Sequence, residues 1–449
     1  MSDELFSLAD RVLSGAHSGE QVEVVVQRDR ETQVRVYGGQ VESLSSAESQ
    51  GVGVRVVIDG RQGFAYAGTL DPAALDEALV EARDNAGFAT VDEHVGLADP
   101  DGVAVPDLAL FDPALAATPA ERKVALATEL ERAVLGADPR IIGLESADYV
   151  DVMSEAVVVT TTGIRTASRD GACYVMAHAL ASDGDETQTG FGFSVGRDPA
   201  ALDVGAAASD AAERATRMLG ATQPRSERVT VVLDPFVTAQ LIGIIAGTLT
   251  GEAVQKGRSL FADRLGDEIA SPLVSLVDDP TDARAFGASQ TDGEGLACRR
   301  NDLIRTGVLD HFVHNALTAR RAGTSSTGSA LRGGFKSVPS VGCRAVRLEP
   351  GDLDQDAILG RVGDAILVQS VSGLHSGVNP VSGDFSTGAE GVRVRGGQRA
   401  EPLREFTVAS TLQKMLRDVV AVGSDIEWLP MAASGVSLAV ADVTVSGGS

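Results

Sequence analysis

Cysteine is nearly missing from this 449-residue sequence: only Cys173, Cys298 and Cys343 occur, far apart and without a C-x-x-C. So sparse and odd a set excludes a disulfide framework and a thiolate zinc site, and it points to a reducing compartment. Histidine is scarce too. None of the six sits in a His-Glu-x-x-His pattern, the spacing that puts two imidazoles on one helix face. His311 and His314 are three apart, but Gly307-Val308-Leu309-Asp310 before them reads as turn and strand. There is no Gly-x-Ser-x-Gly elbow for a nucleophile. Gly190-Phe191-Gly192-Phe193-Ser194-Val195-Gly196 lacks the spacing of a phosphate loop, and its alternating Phe reads as a strand with one packed face. No apolar run reaches the roughly 18 residues of a membrane span. Met1-Ser2-Asp3-Glu4-Leu5 has neither the basic nor the apolar region of a signal peptide. These absences predict a cytoplasmic protein, free of the membrane, with no evident catalytic apparatus of its own.

Positive charge is also short: 38 basic residues face 63 acidic ones, a formal net charge of −25. Such a field opposes phosphate backbones and anionic lipid. The two isolated pairs Arg299-Arg300 and Arg320-Arg321 are a poor nucleic-acid footprint, so no nucleic-acid partner is expected.

What is present is a long, well-patterned α+β chain. Leu5, Leu8 and Val12 share one face of a helix predicted over residues 3–13. Strands follow at 22–26, 33–37 and 53–58, rich in β-branched residues. Asp59-Gly60 supplies a two-residue hairpin turn into a strand at 63–67. Asp71-Pro72 caps a second helix that carries Leu75, Ala78, Leu79 and Ala82 inward. Thr118-Pro119-Ala120-Glu121 reads as a capping box opening a third helix through Leu135. Strands return from Tyr149 to Leu180 with a turn at Asp170-Gly171. The Gly, Pro and polar run at 220–226 is the best domain break, giving an N-terminal helix-and-sheet domain over 1–222 and a β-rich domain over 223–449. The latter opens with a strand at 228–233 and a helix capped by Asp234-Pro235, and holds one clear later helix near 410–420.

Asp278, Asp279, Asp292 and Glu294 are the one group of carboxylates dense enough for a cation site or an acid/base pair. Asp-Pro and Asp-Gly are equally turn chemistry, and turn caps are the stronger reading. A stand-alone hydrolase would need the four to converge.

One long segment is distinctive. Gly373-Leu374-His375-Ser376-Gly377-Val378-Asn379-Pro380-Val381-Ser382-Gly383-Asp384-Phe385-Ser386 resembles the C-terminal signature of the TldD/PmbA family, which also carries the older name of modulators of DNA gyrase. Asp292-Gly293-Glu294-Gly295, residues 300–309, Ser326-Thr327-Gly328 and residues 420–425 support the resemblance, and Gly51-Val52-Gly53-Val54-Arg55 extends it more loosely to the N-terminal half. The resemblance implies a barrel-like C-terminal domain and a peptidase context. One kind of subunit in the family, TldD, bears His-Glu-x-x-x-His on a helix, and its zinc activates water and polarises the scissile carbonyl. Anchored on Lys256-Gly257-Arg258-Ser259-Leu260-Phe261, the histidine positions fall at about Ile242 and Gly247 and the glutamate at about Gly243. No Cys lies near the signature to complete such a site.

The chain therefore resembles the TldE (PmbA) kind. That implies a cytoplasmic heterodimer with a TldD-type zinc peptidase, no catalytic or metal-binding residue and no cofactor in this chain, and unfolded peptides as substrate, such as peptide-antibiotic precursors and antitoxins. An extended peptide can add as a strand to a sheet edge. The Gly-rich 373–383 stretch, with His375, Ser376, Gly377 and Asn379, is where substrate contact is expected. A purely structural turn-strand-turn is the competing reading of that stretch. A protein-binding role toward gyrase is the remaining alternative, and a homodimer in isolation is left open.

Overall fold

The computed structural model describes residues 2–448. A helix α1 (Ser2–Leu13) precedes a six-stranded antiparallel sheet of β1 (Gln21–Tyr37), β2 (Gln40–Ile58), β3 (Arg61–Ala67), β4 (Ile141–Thr160), β5 (Arg165–Asp183) and β6 (Glu186–Gly196), in the order β3-β2-β1-β4-β5-β6. Helices α2 (Pro72–Phe88), α3 (Pro113–Ala117) and α4 (Ala120–Ala137) lie between β3 and β4, and α5 (Val204–Arg217) follows β6.

The strands are long for a reason visible in composition. Proline cannot donate to a ladder, and none occurs before Pro72 or between Pro139 and Pro199. The expected strands at 22–26 and 33–37 are therefore one strand, 17 residues long. Its polar middle stays in register because partners meet it. Lys123 donates to Thr32 Oγ1 at 3.0 Å, Arg28 reaches Glu4 at 2.8 Å, and Ser154 donates to Asp29 at 2.7 Å.

All the helices dock on one face. Leu5, Val12, Leu75 and Leu79 bury against Val24, Val54 and Val157, while Leu126, Leu130 and the Ala side of α5 bury against Tyr149, Val175 and Ala177. The Gly-Phe-Gly-Phe alternation in β6 now has a cause. A Cβ at Gly190 or Gly192 would sit 2.2 or 2.1 Å from the α5 backbone, so glycine lets α5 lie on the sheet. The phenylalanines point to the other face, where Phe191 packs on Phe236 with ring centroids 4.7 Å apart.

The second half builds around β7 (Glu227–Leu233) and α6 (Pro235–Thr248). Strands run in the order Gln398–Thr411, Asp384–Arg395, Ala365–Ser372, β7, Leu438–Ser446, Val419–Val422, and pairing of Gln398–Thr411 with Leu438–Ser446 closes the first five into a barrel. Only the β7 to Ala365–Ser372 pair is parallel. The aliphatic side of α6 joins the barrel's inner residues Leu233, Val368, Phe406 and Val408 in one core. The α+β architecture with a barrel-like second half is thus present.

Three local expectations fail. Thr118 is not in a capping box: it ends α3, its hydroxyl donating to Ala114 O at 2.7 Å, and α4 starts at Ala120 without a side-chain cap. Asp170-Gly171 is no turn but mid-strand in β5, paired with Ser154 and Met153. Gly171 serves close packing instead, since a Cβ there would lie 2.7 Å from Leu115 Cδ2. The late helix spans only Leu412–Arg417, because Val419 already enters a strand.

Ionic contacts fasten the first sheet to the second half. Arg197 donates to the carbonyls of Leu110, Gly171, Ala283 and Ala285. Glu23 of β1 and Arg55 of β2 meet Arg332 and Glu294 in a buried seam, with Arg55 Nη2 to Glu23 Oε2 at 2.7 Å and to Glu294 Oε1 at 3.7 Å.

Candidate functional site

The site begins with α6. Asp234 caps it, accepting Phe236 N–H at 3.2 Å, and Pro235 occupies the first turn. Val237, Leu241, Ile242 and Ile245 are buried. Ile242 is 1% exposed, so its side chain belongs to the core. Gly243 and Gly247 face the other way, and a Cβ on either would meet nothing within 4 Å. The helix thus presents an open strip of bare backbone. Neither an aliphatic core side chain nor glycine can ligate zinc, so these three positions do not fit that ion. Among the described residues, no three His, Cys, Asp or Glu side chains are grouped to hold a metal.

The 373–383 segment lies beside this helix. Leu374 joins Val237, Gln240 and Leu241 of α6, with Val371 and Phe385, around a small apolar cavity. The segment is a helical turn, Leu374–Gly377, rather than a strand, entered through Gly373 at φ 75°. His375 and Ser376 are exposed, and Ser376 Oγ donates to Gly373 O at 3.3 Å. Gly377 has a structural reason of its own: a Cβ would fall 2.1 Å from Ser386 O. Asn379 Oδ1 accepts from the Val381 and Ser382 N–H groups at 2.9 and 3.2 Å, an Asx turn. The fold therefore brings His375, Ser376, Gly377 and Asn379 onto one turn next to α6. Gly377 and Asn379 are occupied in building the turn, while the His375 imidazole stands in solvent.

The four carboxylates do not form a working pair. Asp278 accepts from the Arg344 and Ala345 N–H groups at 2.9 and 2.8 Å, and burial pushes its carboxyl up to about 6. Asp279 caps Thr281 and faces Arg347. Asp292 accepts three backbone N–H groups, from Glu294, Leu296 and Ala330. Glu294 accepts Ala316 N–H at 2.9 Å beside Arg55, and burial pushes it up to about 7. Each holds a turn or the seam, as their turn-like dipeptides suggested. His314 is likewise internal. Its ring lies 3.3 Å from Thr318 Oγ1, and burial lowers its pKa.

Sequence reasoning missed a polar cleft where α5 overhangs the barrel, lined among others by Asp210, Arg214, Gln369 and Glu427. No short motif marks it, because its residues come from six separate segments.

Comparison with known proteins closes the matter of kinship. Three family models match in sequence: PmbA/TldA metallopeptidase domain 1 over residues 22–86, the central domain over 113–219 and the C-terminal domain over 226–447. The chain belongs to the PmbA/TldD family. Among curated PmbA/TldD relatives, Metalloprotease PmbA of Escherichia coli O157:H7 is 27% identical over 95% of this chain and 92% of its own length. A Metalloprotease of Methanothermobacter thermautotrophicus is 26% identical over 94% and 90%. Two crystal structures share the fold. TldE from Thermococcus kodakarensis gives a TM-score of 0.89 at 22% identity over 99% of this chain and all of its own. A putative modulator of a DNA gyrase from Thermotoga maritima gives 0.89 at 23%, covering 99% of both.

Proposed function

We propose that this chain is the non-catalytic, substrate-holding subunit of a two-protein zinc peptidase, with a TldD-type partner supplying the metal and an unfolded peptide as substrate. The observation that carries the reading is α6. Where the TldD kind places His, Glu and His, this chain has a core isoleucine and two bare glycines. Its own residues can position but not activate water. A substrate can be held through backbone pairing: β3 pairs with β2 only from Val52 to Ile58, so the Gln40–Gln50 part of β2 offers a free edge to an extended strand. The turn with His375 and Ser376 packs against α6 through Leu374, and the helix's open strip is where a partner's catalytic helix can approach.

Co-expression tests the proposal. The chain is purified alone and with the TldD-type protein of the same genome, and each sample is assayed for zinc and for cleavage of an unstructured peptide. Only the pair should cleave, with zinc following the partner. Stoichiometric zinc and chelator-sensitive cleavage by this chain alone would sink the proposal.

A further inference from the structure

Where α5 meets the barrel, Arg214 and Gln369 line two adjoining hollows. One is an open cleft of about 370 Å³. The other is a pocket of about 90 Å³ walled by Phe191 and Met218. Most of the cleft's charges are matched. Arg214 meets Asp234 at 3.1 Å, Arg399 meets Asp356 at 2.5 Å, and Arg217 pairs with Glu213. Asp425 accepts from Ser437 N–H at 3.1 Å and from its hydroxyl at 2.6 Å. Asp210 and Glu427 remain, and among the described residues neither carboxyl has an ion pair or a side-chain hydrogen bond. Gln369, only 6% exposed, keeps its Oε1 without a hydrogen-bond partner, as Arg214 does its Nη1.

An unpaired buried amide oxygen is costly and rare. The Gln369 oxygen, with the half-buried Glu427 carboxyl and the exposed Asp210 carboxylate lining the same cleft, asks for a ligand rich in N–H. A metal ion is a poor answer, since no three acidic or His/Cys groups converge at metal-binding range among the described residues. An ammonium has three donors and a guanidinium five, spread over several directions. We propose that this cleft binds a compact organic cation, an ammonium or guanidinium on a short carbon chain, held by Asp210, Glu427 and Gln369. The chain's methylenes lie in the smaller pocket against Phe191 and Met218. The Arg214 guanidinium, 5.0 Å from the Phe191 ring centroid, keeps Nη1 free for an acceptor on the ligand. Burial, with Asp234 adding to it, pushes the Glu427 carboxyl up to about 8, the behaviour of an acid waiting for a cation. This site stands apart from the peptidase reading and survives its failure.

Calorimetry on the full chain at fixed ionic strength tests it, with agmatine and cadaverine as probes and butylurea as the neutral comparison. A short blocked peptide with a central arginine, and its norleucine counterpart, form the second arm. Saturable one-to-one binding at least tenfold tighter than butylurea is expected, weakened tenfold or more in Asp210→Asn and Glu427→Gln. Among the described residues neither carboxyl has an ion pair or side-chain hydrogen bond to lose, so cooperative thermal unfolding should persist, and Asp442→Asn, outside the cleft lining, should leave binding unchanged. Binding of the small amines identifies a free amine as the natural ligand, and binding of the arginine peptide alone identifies a basic side chain. Absence of saturable binding overturns the proposal. Equal affinity in Asp210→Asn, Glu427→Gln and wild type also overturns it, because diffuse attraction to an acidic surface then explains the signal.

Discussion

The seam between the first sheet and the second half and the cleft under α5 both bury arginines with carboxylates, yet Glu23 of the seam is fully answered and Glu427 of the cleft is not. In the seam, Glu23 is 1% exposed and Arg55 5%. Arg55 grips Glu23 through Nε and Nη2 at 3.1 and 2.7 Å, and Arg332 adds Glu23, Gly293 O and Ser337 O. Burial alone would raise the Glu23 carboxyl, but Arg332 and Arg55 together hold it below its ordinary value. In the cleft, Glu427 faces Asp234 and Asp210 with Arg214 already engaged, and its carboxyl goes up instead. Buried charges that are fully answered fix a structure, whereas those left over mark a place where something else can bind or where stability depends on pH.

Breaking the seam should have the largest effect. Removing one partner of a buried pair strands the other charge and costs about 3–5 kcal/mol. Arg332→Met leaves two carboxylates sharing one guanidinium, so its urea midpoint should fall by that equivalent at unchanged slope. Replacing Glu23, Arg55, Glu294 and Arg332 together with apolar residues of similar size should recover most of the loss. A single substitution costing under about 1 kcal/mol would place the seam with ordinary surface pairs instead.

The cleft predicts a pH effect next in size. Glu427, Glu294 and Asp278 titrate near 8, 7 and 6 in the folded chain, against ordinary values near 4 when unfolded. Between those limits the folded state holds more protons than the unfolded one, so stability falls as pH rises. The contribution is whole below about pH 4 and is lost as each folded pKa is passed. The melting temperature should therefore decline from pH 5.5 to 8.5. Glu427→Gln cannot ionise, so its stability relative to wild type should grow between pH 5.5 and pH 8.5 by ~1 kcal/mol or more. Identical pH profiles for the two proteins would assign the slope to Glu294 and Asp278 instead.

The same contrast explains what the sequence could disclose. Asp71-Pro72 and the Leu75, Ala78, Leu79, Ala82 spacing are local signals, and Asp71 Oδ1 does accept Ala73 N–H at 2.9 Å. The Asp59-Gly60 turn is local too, with φ of 48° and 71°. Non-local causes stay hidden. The polar run of β1 looks like a loop until Lys123 and Ser154 are known to meet it. Asp170-Gly171 has a turn's letters, yet its glycine makes room for Leu115. Arg332 and Glu23 are 309 positions apart, and no spacing rule connects Asp210, Gln369 and Glu427. The neighbourhood of α6 and 373–383 was legible only through family resemblance. The individual duties of Gly377 and Asn379 within that turn needed coordinates.

Set beside the filled face of α6, its bare strip gives the smallest prediction and the sharpest one about assembly. Glycine within a helix costs about 1 kcal/mol relative to alanine, and at Gly243 and Gly247 no packing against this chain repays it, because an added methyl meets only open space. Neither residue has a positive φ, so alanine fits without backbone strain. Gly243→Ala and Gly247→Ala should each stabilise the isolated chain by ~0.5–1 kcal/mol. Gly243 is exposed and an added Cβ there meets nothing within 4 Å, so Gly243→Trp is expected to fold. If a partner's helix approaches this strip, that variant should lose affinity for the TldD-type protein at least tenfold in a co-purification titration, while the isolated chain's melting temperature stays near wild type. Undiminished affinity would move the partner's docking surface elsewhere and leave the glycines without a role in assembly.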